Sequence, residues 1–175
     1  MTQPAPGPAR LADFTDTAEV ARWSVIGDVV MGGRSSSEML PGDQLGVFVG
    51  TLSLDRGGGF ASVRRCDELV DLSAYDAIEL QVRGDGKRYK LNLRTSDDVD
   101  GVVYQVGFET EIGRWQTVRL PLASFTPRFR GRPARGTLVP AHVRSVGLLI
   151  SDRQAGPFRI ELSTISATPR LLRCF

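Results

Sequence analysis

A single histidine, His142, and two cysteines, Cys66 and Cys174, stand in a chain of 175 residues. One imidazole excludes Ser-His-Asp triads and multi-histidine metal sites. Two cysteines, one of them penultimate, exclude a disulfide framework or a cysteine metal cluster, so reduced thiols are expected. His142 has no nucleophile at readable spacing and is expected to be structural or exposed. Excess charge is lacking too: 22 basic residues against 20 acidic leave a formal +2, too weak a field to imply a nucleic-acid partner. Lys87 and Lys90 are the only lysines, so cationic chemistry falls to arginine. No stretch approaches the ~20 apolar residues that would cross a bilayer, and the Pro-rich start carries no apolar signal segment. A cytoplasmic, soluble protein is expected.

What is present is ordinary globular composition, 41% hydrophobic and 24% charged. A chain of this length can bury roughly 70% of its unfolded surface in one core. Pro4, Pro6 and Pro8 mark residues 1–10 as a flexible arm, residues 11–168 read as one domain, and residues 169–175 as a tail. Asp16 to Trp23 is the one helix-permissive stretch. Elsewhere the period is two: Ile78, Leu80 and Val82 alternate with Glu79, Gln81 and Arg83, and Tyr89, Leu91 and Leu93 with Lys90, Asn92 and Arg94. Gly84-Asp85-Gly86-Lys87 between them predicts a hairpin. Further strands are expected at 46–54, 60–65, 102–108, 115–120, 143–151 and 158–163. That spacing predicts an all-β antiparallel sandwich.

Few groups carry chemistry. Gly57-Gly58-Gly59 and Gly32-Gly33 lack the flanking residues of a phosphate loop and read as turns. Asp97, Asp98 and Asp100 lack an EF-hand's Gly and terminal Glu, so no metal is assigned. Pro127 to Pro140, with Arg128, Arg130, Arg132 and Arg135, reads as a long surface loop. Trp23 and Trp115 are expected as core anchors. Gln81, Arg83, Asn92, Arg94 and Gln105 are expected to line up on one polar sheet face, with Tyr104 as the aromatic that a sugar ring would stack on.

Several segments together carry a resemblance: Trp23 through Asp28-Val29-Val30-Met31-Gly32-Gly33-Arg34-Ser35, Gly58 to Arg64, Arg83 to Gly86, Trp115 with Leu120-Pro121-Leu122 and Phe125, Arg130-Gly131, and Gly147 through Asp152 to Phe158. In this order they resemble the complex I intermediate-associated protein 30 family, over about Leu11 to Ile165. The resemblance implies a galactose-binding-like jelly roll and a non-enzymatic, chaperone-type role in assembling respiratory NADH:ubiquinone oxidoreductase. Its protein partners would then be complex I subunits, and no cofactor is implied. With no mitochondrial presequence recognised, a bacterial member is expected. Asp28, Met31, Gly32, Gly33, Ser35, Arg64, Asp85, Arg130 and Asp152 match the family pattern, and Asp28 and Asp152 are each expected to pair with Arg64, Arg94 or Arg130. The alternative is a carbohydrate-binding module with a glycan partner. An enzyme ranks third, with Asp28 and Asp152 its only nameable carboxylate pair.

Overall fold

The computed structural model describes residues 6–95 and 101–169, with the side chains of Val30, Met31, Cys66, Asp67 and Glu68 outside that description. Thirteen strands follow in chain order: β1 Ala9–Asp13, β2 Trp23–Gly27, β3 Ser36–Pro41, β4 Gly46–Leu52, β5 Ala61–Val70, β6 Tyr75–Arg83, β7 Arg88–Arg94, β8 Val103–Glu109, β9 Trp115–Pro121, β10 Thr126–Phe129, β11 Arg132–Pro133, β12 Val143–Ile150 and β13 Gly156–Pro169. They form two antiparallel sheets, β3-β4-β13-β6-β9 with β1 also on β13, and β11-β10-β8-β7-β12-β5-β2. The result is an all-β jelly-roll sandwich.

The expected alternation places the core. Ile78, Leu80 and Val82 of β6, Tyr89, Leu91 and Leu93 of β7, Leu148 and Ile150 of β12, and Ile160 and Leu162 of β13 are all fully buried. Their odd or even neighbours are thereby committed to the two outer faces, because side chains alternate along a strand. Phe48 and Phe158 meet edge to face with centroids 5.0 Å apart, and Phe14 lies 5.4 Å from Trp23. Aromatic pairs thus contribute to the core filling.

The expected hairpin at Gly84–Lys87 is a crossing instead. β6 pairs with β9 and β13, whereas β7 pairs with β8 and β12, so the turn carries the chain from one sheet to the other. Asp85 holds it there: Oδ1 accepts from the Lys87 N–H and the Tyr89 hydroxyl, each at 3.1 Å, and Oδ2 from the Arg159 N–H at 2.8 Å. Burial first, and the adjacent Asp85 carboxylate second, push the Tyr89 hydroxyl pKa upward, which keeps it a donor. Thr110 locks the neighbouring crossing by accepting from the Gly86 N–H and donating to the Lys87 carbonyl. The helix-permissive stretch forms only a 3-10 turn at Val20–Arg22, because Glu19 is drawn inward to accept from the Trp23 indole at 2.9 Å and to pair with Arg65 at 3.1 Å. Arg65 also donates to the Leu11 carbonyl.

Replacing Asp85 by Ala removes the acceptor of the buried Tyr89 hydroxyl and is expected to lower unfolding stability by about 1–3 kcal/mol. Lys87→Ala, on the same turn, is expected to move it by less than about 0.5 kcal/mol. Urea unfolding of both variants checks this, and equal losses would overturn the part assigned to Asp85.

Candidate functional site

The two outer faces differ in how completely their polar groups are used. On the outer face of the β3-β4-β13-β6-β9 sheet, Arg119 bridges Asp76 at 2.8 Å and Glu79 at 3.1 Å. Gln81 bonds Thr117 at 2.8 Å, and Arg83 and Arg159 both close on Glu161. The hydrogen bond from Arg83, then that from Arg159, outweighs burial and holds the Glu161 carboxyl below the usual carboxylate range. Arg83 also lies over the Trp115 ring, 5.2 Å from its centroid. Trp115 is therefore no core anchor. It is 41% exposed, because its position opposite Arg83 puts it on the outward register.

On the other sheet a lateral row runs Ser24–Arg64–Gly147–Asn92–Gln105–Thr126 across β2, β5, β12, β7, β8 and β10. Five strand intervals make the row about 24 Å long. Val63, Leu91, Leu93 and Leu148 are fully buried behind it, so Arg64, Asn92 and Arg94 face outward. Gln105 Nε2 donates to Asn92 Oδ1 at 2.9 Å, and Arg94 donates to the Gly101 carbonyl at 3.1 Å. In the next row Lys90 is neutralised by Asp152 at 2.7 Å. Arg64 differs: no carboxylate pairs with it among the described residues, and its Nε, like that of Arg65 beside Glu19, is buried with no hydrogen-bond partner, a condition that costs about 1–3 kcal/mol for a neutral donor and more for a charged one. A Cβ at Gly147 would sit 2.8 Å from the Val63 carbonyl and 3.5 Å from Arg64 Cα, so only glycine lets β12 lie this close beside Arg64.

The expected polar face thus divides. Asn92, Arg94 and Gln105 come together with Arg64, while Gln81 and Arg83 lie on the opposite side of the sandwich, a consequence of the crossing at Gly84–Lys87. Tyr104 points into the core at 7% exposure, because it follows the inward register beside Leu93, so it offers no platform. Arg130 occupies the β10–β11 turn with a left-handed φ of 48°, and its guanidinium lies 5.3 Å from the Phe129 centroid. His142 is exposed in a 3-10 turn before β12. Lys90, Gly147, Ser24 and Thr126 were not singled out; the period-two register of β7 and β12 was the signal that could have found Lys90 and Gly147. Among the described residues no group of three metal-ligating side chains exists, and Asp97, Asp98 and Asp100 lie outside them. An open hollow of about 350 Å³ beside Leu122, Phe125, Leu138 and Pro140 has no charged lining.

The Asp28–Ser35 segment builds a separate feature. Asp28 is fully buried, yet no cation among the described residues pairs with it. Oδ1 accepts from the Ser35 N–H at 3.0 Å, while Oδ2 accepts from the Ser35 hydroxyl and the Gly59 N–H, both at 2.7 Å. Gly33 and Gly58 lie directly on the carboxylate, since a Cβ at Gly33 would collide with Asp28 Cγ and one at Gly58 would lie 2.6 Å from Oδ2. Gly32 closes the turn with a φ of 84°; the Met31 side chain lies outside the described residues. The Ser35 hydroxyl then accepts from the Ser53 N–H at 3.0 Å, so the motif clasps loop 28–35 to loop 53–60. The expected pairing of Asp28 and Asp152 with Arg64, Arg94 or Arg130 is replaced by Ser35 and Gly59 for the one and Lys90 for the other, because backbone and hydroxyl donors already saturate Asp28. One carboxylate is buried in the clasp and the other is exposed beside Lys90, so they form no acid–base pair.

Burial raises the Asp28 pKa, but the bonds from Ser35, Gly59 and Phe60 outweigh it and hold the group below the ordinary carboxylate value. A folded-state pKa below the unfolded one contributes stability that is present above about pH 4 and is lost as pH falls through the folded value. Asp28→Asn is therefore expected to lose about 1.5–3 kcal/mol at pH 7, with the gap to the parent chain closing as both are unfolded in urea at pH below about 3. A gap of the same size at both pH values would show that the charge plays no part.

Residues 12–162 match the profile of the family described as complex I intermediate-associated protein 30. The chain is 27% identical to "Complex I intermediate-associated protein 30, mitochondrial" of Mus musculus, covering 87% of this chain and 53% of that one. It is 25% identical to the protein of the same name in Neurospora crassa, covering 94% and 74%. The chain therefore spans about half the length of the mouse relative. These names correct the cytoplasmic expectation, since the relatives are mitochondrial, and they lend no support to a bacterial source, since both are eukaryotic. The fold is similar to a family 11 carbohydrate-binding module of a Clostridium thermocellum cellulosomal cellulase, with TM-score 0.74 at 19% identity over 98% of this chain and 100% of the module. It is likewise similar to that family's module solved with a β-1,3-1,4-mixed-linked tetrasaccharide, with TM-score 0.71 at 19% identity over 96% and 99%. Those likenesses are of fold. The Asp28 clasp lies inside the matched segment, and with 151 consecutive residues of the chain aligned to one profile, this chain belongs to the complex I intermediate-associated protein 30 family.

Proposed function

We propose that the chain is a non-enzymatic binding protein of assembly-factor type, and that it holds subunits of respiratory complex I on the outer face of the β11-β10-β8-β7-β12-β5-β2 sheet. The carrying observation is the contrast between the faces. On one, Arg119, Arg83 and Arg159 are closed by carboxylates; on the other, Arg64 keeps a buried Nε without a partner. A rigid sheet face that presents a guanidinium with no ion pair among the described residues is a surface with binding energy still to be realised. The family name carried by the mouse and Neurospora relatives points to complex I as the source of the partner. The catalytic reading has no support from the carboxylates, since Asp28 is spent in the clasp and Asp152 on Lys90. On this face a glycan reading lacks the stacking residue expected for it, since Tyr104 is buried and neither row described above carries an aromatic side chain, the exposed Trp115 lying on the opposite face.

Affinity purification of the tagged full chain from its native host in mild detergent, with quantitative mass spectrometry, tests this. Complex I subunits are expected to be enriched, and reversal of charge in Arg64→Glu is expected to reduce them about tenfold while leaving the thermal midpoint close to that of the parent. Absence of complex I subunits, or their full retention by a folded Arg64→Glu variant, would sink the proposal.

A further inference from the structure

Most charged clusters of the sandwich are closed on themselves. Glu19 takes Arg22 and Arg65, Glu161 takes Arg83 and Arg159, and Asp152 takes Lys90. Arg64 joins none of these ion pairs, although its Nε shares with that of Arg65 the lack of a hydrogen-bond partner, and one end of Asn92 is likewise uncommitted. Because Gln105 Nε2 donates to Asn92 Oδ1 at 2.9 Å, the acceptor of Asn92 is consumed, and its Nδ2 has no acceptor among the described residues. The two donors stand on β5 and β7, the strands that flank β12, and between them in register is Gly147, a floor with no side chain. Their backbone positions are two strand intervals apart, about 10 Å, a span that a long guanidinium and a short amide can close from both sides over one small acceptor.

We propose that Arg64 and Asn92 form a subsite, floored by Gly147, for the carboxylate of an acidic residue in an extended segment of a partner protein. This rests on the reading that the same face holds a protein partner, and it names the chemistry of that contact. Three features select a carboxylate. Its two coplanar oxygens match the guanidinium fork, and turning that edge onto an acceptor gives the buried Nε the bond it lacks. The amide of Asn92 supplies a neutral second donor, suited to a group carrying one charge. Of the cations flanking Asn92 along β7, Lys90 is balanced by Asp152 and Arg94 is engaged with the Gly101 carbonyl, so Arg64 brings the subsite one guanidinium, matched to a single negative charge better than to a phosphate dianion or a polyanionic strand.

The test titrates the purified full chain with an N-acetylated, C-amidated Ala-Ala-Glu-Ala-Ala peptide. The readout is NMR of the Arg64 Nε–H and Asn92 Nδ2–H signals. Both are expected to move with the Glu peptide and to respond about tenfold more weakly to the Gln counterpart. Arg64→Gln and Asn92→Leu are each expected to weaken binding about tenfold, while resonances of the other sheet stay in place and report an intact fold. Arg64→Lys, which keeps the charge without the fork, is expected to recover only part of the affinity. Equal response to the Glu and Gln peptides would overturn the proposal. So would equal movement of the same signals by inorganic phosphate, or movement by a β-glucan tetrasaccharide in place of the peptide. Purified chain and peptide contain no complex I, so failure here leaves the co-purification result standing, and failure there leaves the subsite standing.

Discussion

The inner face shared by the two sheets is the constraint from which the remainder follows. Leu80, Val82, Leu91, Leu148 and Ile160 are fully removed from water, and each apolar side chain so buried contributes roughly 1.5–3 kcal/mol. A slip of one residue in any of these strands would turn its whole apolar set outward, so the register of the outer faces is held by the core. Arg64 faces out because Val63 faces in; Asn92 faces out because Leu91 and Leu93 face in. β13 extends this control across one sheet, pairing along its 14 residues with β1, β4 and β6.

Given two outer faces built by the same rule, their difference lies in charge pairing. The β13 face is a closed net, with every named arginine answered by a carboxylate, and Trp115 lying under Arg83 adds a cation–π contact at 5.2 Å. The β12 face keeps its strongest donor unanswered. Gly147 matters to that difference, since any larger residue would meet the Val63 carbonyl and separate the strands that bring Arg64 and Asn92 to either side of it. The Asp28 clasp serves the fold differently. A fully buried carboxylate without a cation persists because its burial cost is offset by short bonds from Ser35 and Gly59, and those bonds join two loops far apart in sequence. The residues by which the family is most readily recognised are thus the ones that hold these loops together.

Much of the architecture was legible in advance. Period-two alternation located β4 to β9, β12 and β13, although β5 and β13 run on to Val70 and Pro169, past the expected ends at 65 and 163, because half-buried strands write their register into residue order. The short elements β1, β2, β3, β10 and β11, at or next to the sheet edges, were not placed, since short strands with few buried side chains carry little alternation. Asp85-Gly86 was read as a hairpin because turn chemistry is local, and no local signal says whether the strands on either side pair with each other or with others. Trp115 and Tyr104 were exchanged in the same way. Both are large aromatics in strand-forming surroundings, and only the register opposite Arg83 and Leu93 decides which one meets water.

The sequence by itself determined the strand class, the candidate arginines and the family signature, because alternation, turn residues and motif order are properties of neighbours along the chain. Only the tertiary structure decided that Gln81 and Arg83 belong to one face and Asn92, Arg94 and Gln105 to the other. It alone decided that Asp28 is a clasp, and that Arg64 is left with a donor to satisfy. Each of these depends on which distant strands lie side by side, and that is settled by packing two apolar faces together, a condition no single strand contains.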